Sequence, residues 1–121
     1  MNNINEIKSV RKTIELYIEG TKTGDVSKLK KVFYSEAIMS GNLMGNQLIC
    51  GTPEPFFNDI KGKIAPLEYE AQITNIDITD EIASAILIEK GLLGINFVNY
   101  FHLQKIDGQW RIVSKLFTST K

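Results

Sequence analysis

The side chains able to take part in catalysis or metal binding are few in this sequence. The chain contains one histidine, His102, and one cysteine, Cys50. A zinc site built from cysteine and histidine, or an intramolecular disulfide, needs several such residues at set spacings. The glycine-rich motifs that bind phosphates or dinucleotides are missing, as are the motifs of zinc proteases and serine hydrolases. We therefore expect no metal site and no cofactor.

Polar residues on an apolar strand face are the best candidates for binding. The last two predicted strands alternate apolar and polar residues, and their more apolar face should turn towards the interior. That face comprises Phe97, Asn99, Phe101, Leu103, Trp110, Ile112, Ser114 and Leu116. Asn99 is its one amide and Ser114 its one hydroxyl, and buried polar groups need hydrogen-bond partners that a ligand can supply. For Asn99, the alternative is a core amide satisfied by neighbouring backbone or a tyrosine hydroxyl.

Three aromatic residues with polar tips should point into the same space. Trp110 has an indole N–H that needs an acceptor. Tyr17 lies on the apolar side of the first predicted helix, and Tyr69 lies at the start of a predicted strand. We predict that Tyr17, Tyr69 and Trp110 line a ligand-binding pocket together with Asn99 and Ser114. The alternative for the three aromatic residues is a place in the core.

Catalysis receives less support from the sequence than binding. His102 has the parity of the outer sheet face, beside Tyr100. Asp77 and Glu89 lie near predicted strand ends, where we expect them to be solvated. General acid–base catalysis needs a shielded group whose pKa is displaced towards neutrality. The sequence thus favours a binding protein over an enzyme and identifies no catalytic residue.

Helices in the first half of the chain should position Tyr17. Apolar residues at helical spacing predict a first helix, with Asn3 as its cap and Gly20 at its end. Asp25 should cap a second helix, and Thr52 a short third one. Between these two helices, glycine residues punctuate short apolar pieces over 36–51, which predicts an irregular hairpin.

Strands in the second half should position the remaining candidates. After Pro66 the hydrophobic period becomes two, which predicts strands at about 68–79, 82–90, 95–106 and 109–119. A change of parity after Ile73 predicts a bulge near Thr74 or Asn75 that bends the sheet. Helices followed by long antiparallel strands indicate an α+β fold. We expect one domain over 1–121, with N-terminal helices packed in a strongly curved antiparallel β-sheet.

Composition excludes several classes of partner. The 121 residues include 14 Lys+Arg and 14 Asp+Glu, and the formal net charge is zero. We therefore expect no nucleic acid and no membrane among the partners. No apolar run resembles a signal peptide or a membrane span, which predicts a cytoplasmic protein with Cys50 reduced. We expect a homodimer through the outer sheet face, whose predicted apolar residues are Val98, Tyr100, Val113 and Phe117.

The run NFVNYFHLQKIDGQWRIVSKLF, together with YIEGTKTGD and TPEPFF upstream, resembles the Putative lumazine-binding family. That family belongs to the nuclear transport factor 2-like superfamily and is close to the SnoaL-like proteins. The most specific part of the resemblance is the block Tyr100, Leu103, Lys105–Gly108, Trp110, Ile112, Lys115 and Phe117. The resemblance covers nearly the whole chain. It implies a cone-shaped fold, with helices laid into a curved antiparallel sheet, a cavity at the open end and dimerisation through the outer face.

The resemblance leaves several functions open. The superfamily includes isomerases, dehydratases and polyketide cyclases beside binding and association modules, and a fold does not transfer a function. Relatives often have Asp at the position of Asn99, and an asparagine cannot act as a general base. Our first hypothesis is a protein that binds a small apolar or aromatic molecule. The alternatives are an isomerase, dehydratase or cyclase in the same cavity, and a non-catalytic dimeric association module.

Overall fold

The computed structural model describes residues 4–121, so the cap expected at Asn3 lies outside the described residues. In chain order the elements are α1 (Ile4–Thr23), α2 (Val26–Val32), β1 (Phe33–Leu43), β2 (Asn46–Ile49), α3 (Glu54–Ile60), β3 (Glu70–Thr79), β4 (Ile82–Leu92), β5 (Ile95–Ile106) and β6 (Gln109–Thr120). The predicted α+β class is confirmed. The four long strands from β3 to β6 agree closely with the bounds predicted from hydrophobic period.

The six strands form one curved sheet in the order β2-β1-β6-β5-β4-β3. Neighbouring strands are antiparallel except β1 and β6, which run parallel. The hairpin predicted over 36–51 is the β1–β2 pair, which turns at Met44 and Gly45. The sheet is antiparallel as predicted in its other pairs, and the parallel attachment of β1 to β6 is a feature that the prediction did not include. Hydrophobic period shows which segments are strands, but it does not show which distant strands become neighbours.

Helix α1 packs on the sheet through Val10, Ile14 and Tyr17, which have no exposed surface. The helix does not end at Gly20, as we expected, but continues to Thr23 and stops before Gly24, which has a φ of +70°. Gly20 is instead a point of close contact, since a Cβ there would lie 3.0 Å from the Leu29 side chain of α2. The absence of a side chain at Gly20 therefore lets α1 and α2 approach each other.

The expected caps of the two short helices are present in different forms. The Asp25 carboxylate accepts a hydrogen bond from the Ser27 backbone N–H at 3.0 Å, as an N-cap residue should. In α3 the capping position belongs to Pro53, while the Thr52 hydroxyl accepts from the Glu54 N–H at 3.2 Å.

Within residues 4–121, no helix combines the length and the apolar character needed to cross a bilayer.

The bulge predicted in the first long strand is present in β3. Its register with β4 shifts between Ile73 and Asn75, so that Thr74 is the extra residue. Bulges of this kind increase local twist and bend the strand. The bend curves the sheet around the helices.

A second bulge, in β6, did not show in the sequence. The consecutive β5 residues His102 and Leu103 pair with Ser114 and Ile112, which leaves Val113 as an extra residue in β6. A bulge shifts the alternation of a strand by one residue, so every side chain beyond it changes face.

The bulge in β6 turns a lysine inwards. Lys115 and Phe117 are buried, whereas Leu116 is exposed and Ser114 is half-buried. Lys115 pairs with Phe101 of β5 and Met39 of β1, both of which are buried on the inner face. Our assignment of Ser114 and Leu116 to the inner face was wrong, because it assumed an uninterrupted period of two.

Candidate functional site

A cavity of about 300 Å³ lies between α3, the β1–β2 hairpin and the inner face of β4, β5 and β6. Its wall is mostly apolar and includes Leu43, Phe56, Ile60, Leu92, Phe97 and Phe117. Four polar side chains also line it: Asp59 is exposed, whereas Glu89, Asn99 and Lys115 are each at most 5% exposed. An apolar cavity of this size with a few buried polar groups is typical of a small-molecule site.

A larger groove of about 780 Å³ is a weaker candidate. It lies beside Phe33 and Phe57 and has charged residues such as Lys30, Glu54 and Arg111 along its wall. None of these charged residues is buried. Since water solvates exposed charges, this groove offers no polar group that still needs a partner.

Glu89 is the centre of a buried hydrogen-bond network. The Tyr69 hydroxyl donates to Oε2 of Glu89 at 2.6 Å, and Nδ2 of Asn99 donates to Oε1 at 2.6 Å. Asn99 also donates to the Leu87 carbonyl at 3.3 Å. Glu89 is 1% exposed, which corrects our expectation that it would be solvated.

The pairing of β4 with β5 brings Glu89 and Asn99 together. Asn99 pairs with Leu87, and Glu89 pairs with Phe97, so Glu89 and Asn99 are diagonal neighbours on one face. Strand β4 continues to Leu92, so Glu89 is a strand residue with the inward parity of Leu87. The buried carboxylate is therefore fixed by the regular geometry of the sheet.

Lys115 provides a positive charge in the same cavity. Its Nζ lies 3.7 Å from the centroid of the Phe56 ring, 5.2 Å from that of Tyr17 and 5.5 Å from that of Phe117. Within residues 4–121 this nitrogen donates no hydrogen bond and forms no salt bridge. Burial lowers the pKa of the Lys115 ammonium from 10.5 to about 8, although the negative charge of Glu89 opposes the shift.

The two tyrosines of the site are neutral hydrogen-bonding groups. Burial, followed by the negative charge of Glu89, raises the pKa of both Tyr17 and Tyr69 above the usual value. Tyr17 packs against Phe56 and Phe101, with ring centroids 5.8 and 5.0 Å apart. Its hydroxyl is buried and has no hydrogen-bond partner in the described part of the chain. Both phenols are therefore protonated at neutral pH.

Of the five predicted site residues, Asn99 lines the cavity, and Tyr17 and Tyr69 contact residues of its wall without lining it themselves. Tyr69 and Asn99 meet at Glu89, and the Tyr17 ring packs against the Lys115 ammonium. Trp110 does not line the cavity, because its indole N–H donates to Glu6 at 2.9 Å. Ser114 does not line it either, because the bulge turns this residue away.

The two buried charged residues of the cavity, Glu89 and Lys115, are absent from the sequence prediction for different reasons. Glu89 continues the inward parity of Ala83, Ala85 and Leu87, a signal that was available in the sequence. We expected Glu89 to be solvated because it lies near the end of the predicted strand 82–90. Lys115 gave no such signal, since only the bulge at Val113 turns it inwards.

Helices packed on one face of a curved sheet, with a partly polar cavity between them, define a nuclear transport factor 2-like protein. The chain belongs to the family described as Putative lumazine-binding, whose sequence profile matches residues 5–118. The resemblance noted in the sequence is confirmed.

Several solved structures share this fold over nearly their full length. A nuclear transport factor 2-like protein of unknown function from Shewanella baltica is 28% identical, with a TM-score of 0.91 over 100% of this chain and 98% of that chain. One from Methylobacillus flagellatus is 22% identical, with a TM-score of 0.90 over 98% and 94% of the two chains. One from Silicibacter pomeroyi is 21% identical, with a TM-score of 0.89 over 99% and 100%. No curated protein matched the chain significantly.

Proposed function

We propose that this protein binds a small aromatic or otherwise largely apolar molecule in the cavity beside Lys115. The observation that supports this proposal most strongly is Lys115, a residue only 5% exposed that lines the cavity and whose ammonium donates no hydrogen bond within residues 4–121. A buried charge without hydrogen bonds is unfavourable for folding. A ligand that accepts a hydrogen bond from Lys115 removes part of that penalty, and the apolar wall contributes the remaining affinity.

The polar groups of the cavity restrict the chemistry of the ligand. Lys115 is a hydrogen-bond donor and Glu89 is an acceptor, so a neutral ring system with both a carbonyl oxygen and an N–H group matches them. Aromatic side chains such as Phe56 and Phe97 offer surfaces on which a flat ring can pack. The family description makes lumazine, a flat heteroaromatic compound with carbonyl and N–H groups, the first ligand to test.

Titration with lumazine tests the proposal. We expect Lys115→Met to weaken lumazine binding about tenfold to a hundredfold, because a hydrogen bond to a charged group contributes about 1.5–3 kcal/mol. The matched control is Lys90→Met, which changes an exposed lysine of the same sheet and should leave affinity unchanged. Isothermal titration calorimetry measures both. If neither lumazine nor other small heteroaromatic compounds bind, or if both variants lose affinity equally, the proposal is wrong.

Catalysis by the same cavity is the second candidate function, and the position of Glu89 favours it. An isomerase, dehydratase or cyclase needs a carboxylate or another base inside the cavity, and Glu89 is one. Glu89→Gln distinguishes the two functions, because it removes the base and keeps a side chain of the same size. An enzyme would lose turnover with this substitution while still binding its substrate.

We also propose that the protein forms a homodimer through the outer sheet face. Three exposed apolar residues, Ile38, Tyr100 and Leu116, lie on this face, and each is more than half exposed. Tyr100 pairs with Leu116 in β6 and with Ile86 in β4, so an apolar row crosses three strands without a charged side chain. An uncharged apolar surface of this kind suits a self-complementary, two-fold interface. Leu116 takes the place on this face that we had expected for Phe117.

A charged residue in the apolar row should separate the dimer. We expect Leu116→Glu to be monomeric at concentrations where the wild type is dimeric, since two carboxylates would be buried near the two-fold axis. Leu67→Glu is the matched control, because Leu67 is fully exposed and lies outside the sheet. Analytical ultracentrifugation measures the mass of each. A wild-type monomer, or a dimer that survives Leu116→Glu, contradicts this interface.

A further inference from the structure

The Lys115 amine is a potential nucleophile as well as a hydrogen-bond donor. We propose that Lys115 forms an imine with aldehydes or ketones of aromatic or apolar character that enter the cavity. This inference rests on the proposed function, because the carbonyl compound must first bind in the same cavity.

The position of the amine favours this reaction. Nζ of Lys115 is held beside the Phe56 ring at 3.7 Å and the Phe117 ring at 5.5 Å, and both rings line the cavity. A lysine in a salt bridge must first break that contact before it can attack a carbonyl group. Lys115 has no salt bridge or hydrogen bond within residues 4–121, so its nitrogen is free to react with a molecule in the cavity.

The protonation state of the amine also favours attack. The titratable groups around it come from α1, α3, β4 and the segments that follow β2 and precede β3: Tyr17, Asp59, Glu89, Cys50 and Tyr69. Burial lowers the pKa of Lys115 to about 8, against smaller opposing effects of Glu89 and then Cys50. About one amine in ten is then neutral at pH 7, compared with about one in several thousand for an ordinary lysine. Only the neutral amine has the lone pair that attacks carbon.

The reaction needs no reagent beyond the carbonyl compound. The amine lone pair forms an N–C bond, and the carbonyl π pair moves to oxygen. The nitrogen then loses a proton and the oxygen gains one, which gives a carbinolamine. When the C–O bond breaks, water leaves with the second nitrogen proton and a C=N bond forms.

Reductive trapping tests the imine. The wild-type protein is incubated at about pH 7 with benzaldehyde and sodium cyanoborohydride, which converts an imine into a stable benzylamine, and peptide mass spectrometry locates the benzyl groups. We expect Lys115 to react at least about tenfold faster than the surface lysines Lys28, Lys30 and Lys31, because far more of its amine is neutral. Benzyl alcohol, an unreactive competitor for the cavity, should slow labelling at Lys115 alone. Equal labelling of all lysines would overturn the inference.

The variants and a pH series sharpen this test. The labelling rate at Lys115 should level off above about pH 8, whereas the rates at surface lysines should keep rising towards about pH 10. Lys115→Arg keeps a cation that cannot form an imine and should remove the fast labelling. Calorimetric titration with benzyl alcohol separates this inference from the proposed function. A cavity that binds benzyl alcohol while Lys115 stays unlabelled overturns the imine alone, and a cavity that binds neither benzyl alcohol nor lumazine overturns both.

Discussion

Replacing Lys115 with methionine should stabilise the protein by about 2 kcal/mol at pH 7. A fall in the pKa of this lysine from 10.5 to about 8 means that its burial as a cation destabilises the fold by about 3 kcal/mol. The contact with the Phe56 ring offsets roughly 1 kcal/mol of that penalty. Methionine has a similar length and no charge, so it can fill the same space among apolar neighbours.

The same pKa shift predicts how stability depends on pH. Between about pH 8 and 10.5 the unfolded chain keeps the Lys115 proton while the folded protein releases it, so the wild type gains stability as pH rises through this window. Below about pH 8 the penalty is constant, because both states are protonated. The stability advantage of Lys115→Met should therefore shrink as the pH rises from about 8 to 10.5.

Urea denaturation of both proteins across this pH range measures the effect. The difference between the two unfolding free energies isolates Lys115, since Tyr17, Tyr69 and all other titrating groups are common to both chains. Lys90→Met, which changes an exposed lysine, should match the wild type at every pH. A Lys115→Met protein that is less stable than the wild type at pH 7 would contradict this prediction. It would show that the ammonium has a stabilising partner, whereas it donates no hydrogen bond and forms no salt bridge within residues 4–121.

Stability gained by removing Lys115 would also support its role in binding. A residue that destabilises the ligand-free fold does not serve stability. Residues that bind ligands commonly destabilise the ligand-free protein in this way. The same variant should also bind lumazine more weakly than the wild type. A gain in stability with a loss of binding would distinguish a binding group from a core residue.

The sequence predicted those parts of the fold and site that follow from regular alternation. The inward face of β5, with Asn99 between Phe97 and Phe101, was assigned correctly because no irregularity interrupts those residues. The bulge near Thr74 was predicted because parity changes visibly within one strand. Tyr69 and Asn99 were chosen from such patterns, and they meet at Glu89.

What the sequence could not predict depends on contacts between distant segments. Val113 lies between Ile112 and Ser114, and neither neighbour indicates that it is the extra residue of a bulge. An uninterrupted alternation places Ser114 on the inner face and Lys115 on the outer face, and the bulge reverses both positions. The Trp110 N–H was expected to need an acceptor, and that acceptor is the Glu6 carboxylate, more than a hundred residues earlier in the chain. Residues that are far apart in sequence supply partners that hydrophobic period does not reveal.

Replacing Glu89 with leucine should destabilise the protein by about 4 kcal/mol. The Tyr69 hydroxyl and the Asn99 amide would each lose an acceptor 2.6 Å away, and each buried donor left unpaired costs about 1–3 kcal/mol. Lys115 would also lose the negative charge that opposes the effect of burial. Glu89→Gln keeps one acceptor oxygen and should lose only about 2 kcal/mol. Urea denaturation at pH 7 measures both variants, and Tyr69→Phe measures the hydroxyl contact alone.

A double variant separates the charge of Glu89 from its hydrogen bonds. Without Glu89, the Lys115 ammonium has no buried carboxylate near it, so Lys115→Met should stabilise the Glu89→Leu protein by about 1–2 kcal/mol more than it stabilises the wild type. The paired substitution Glu89→Leu with Tyr69→Phe removes donor and acceptor together and should also recover part of the lost stability. Equal effects of Lys115→Met in both backgrounds would mean that the two charges do not interact. Glu89 and Lys115 would then contribute to the stability of the fold independently of each other.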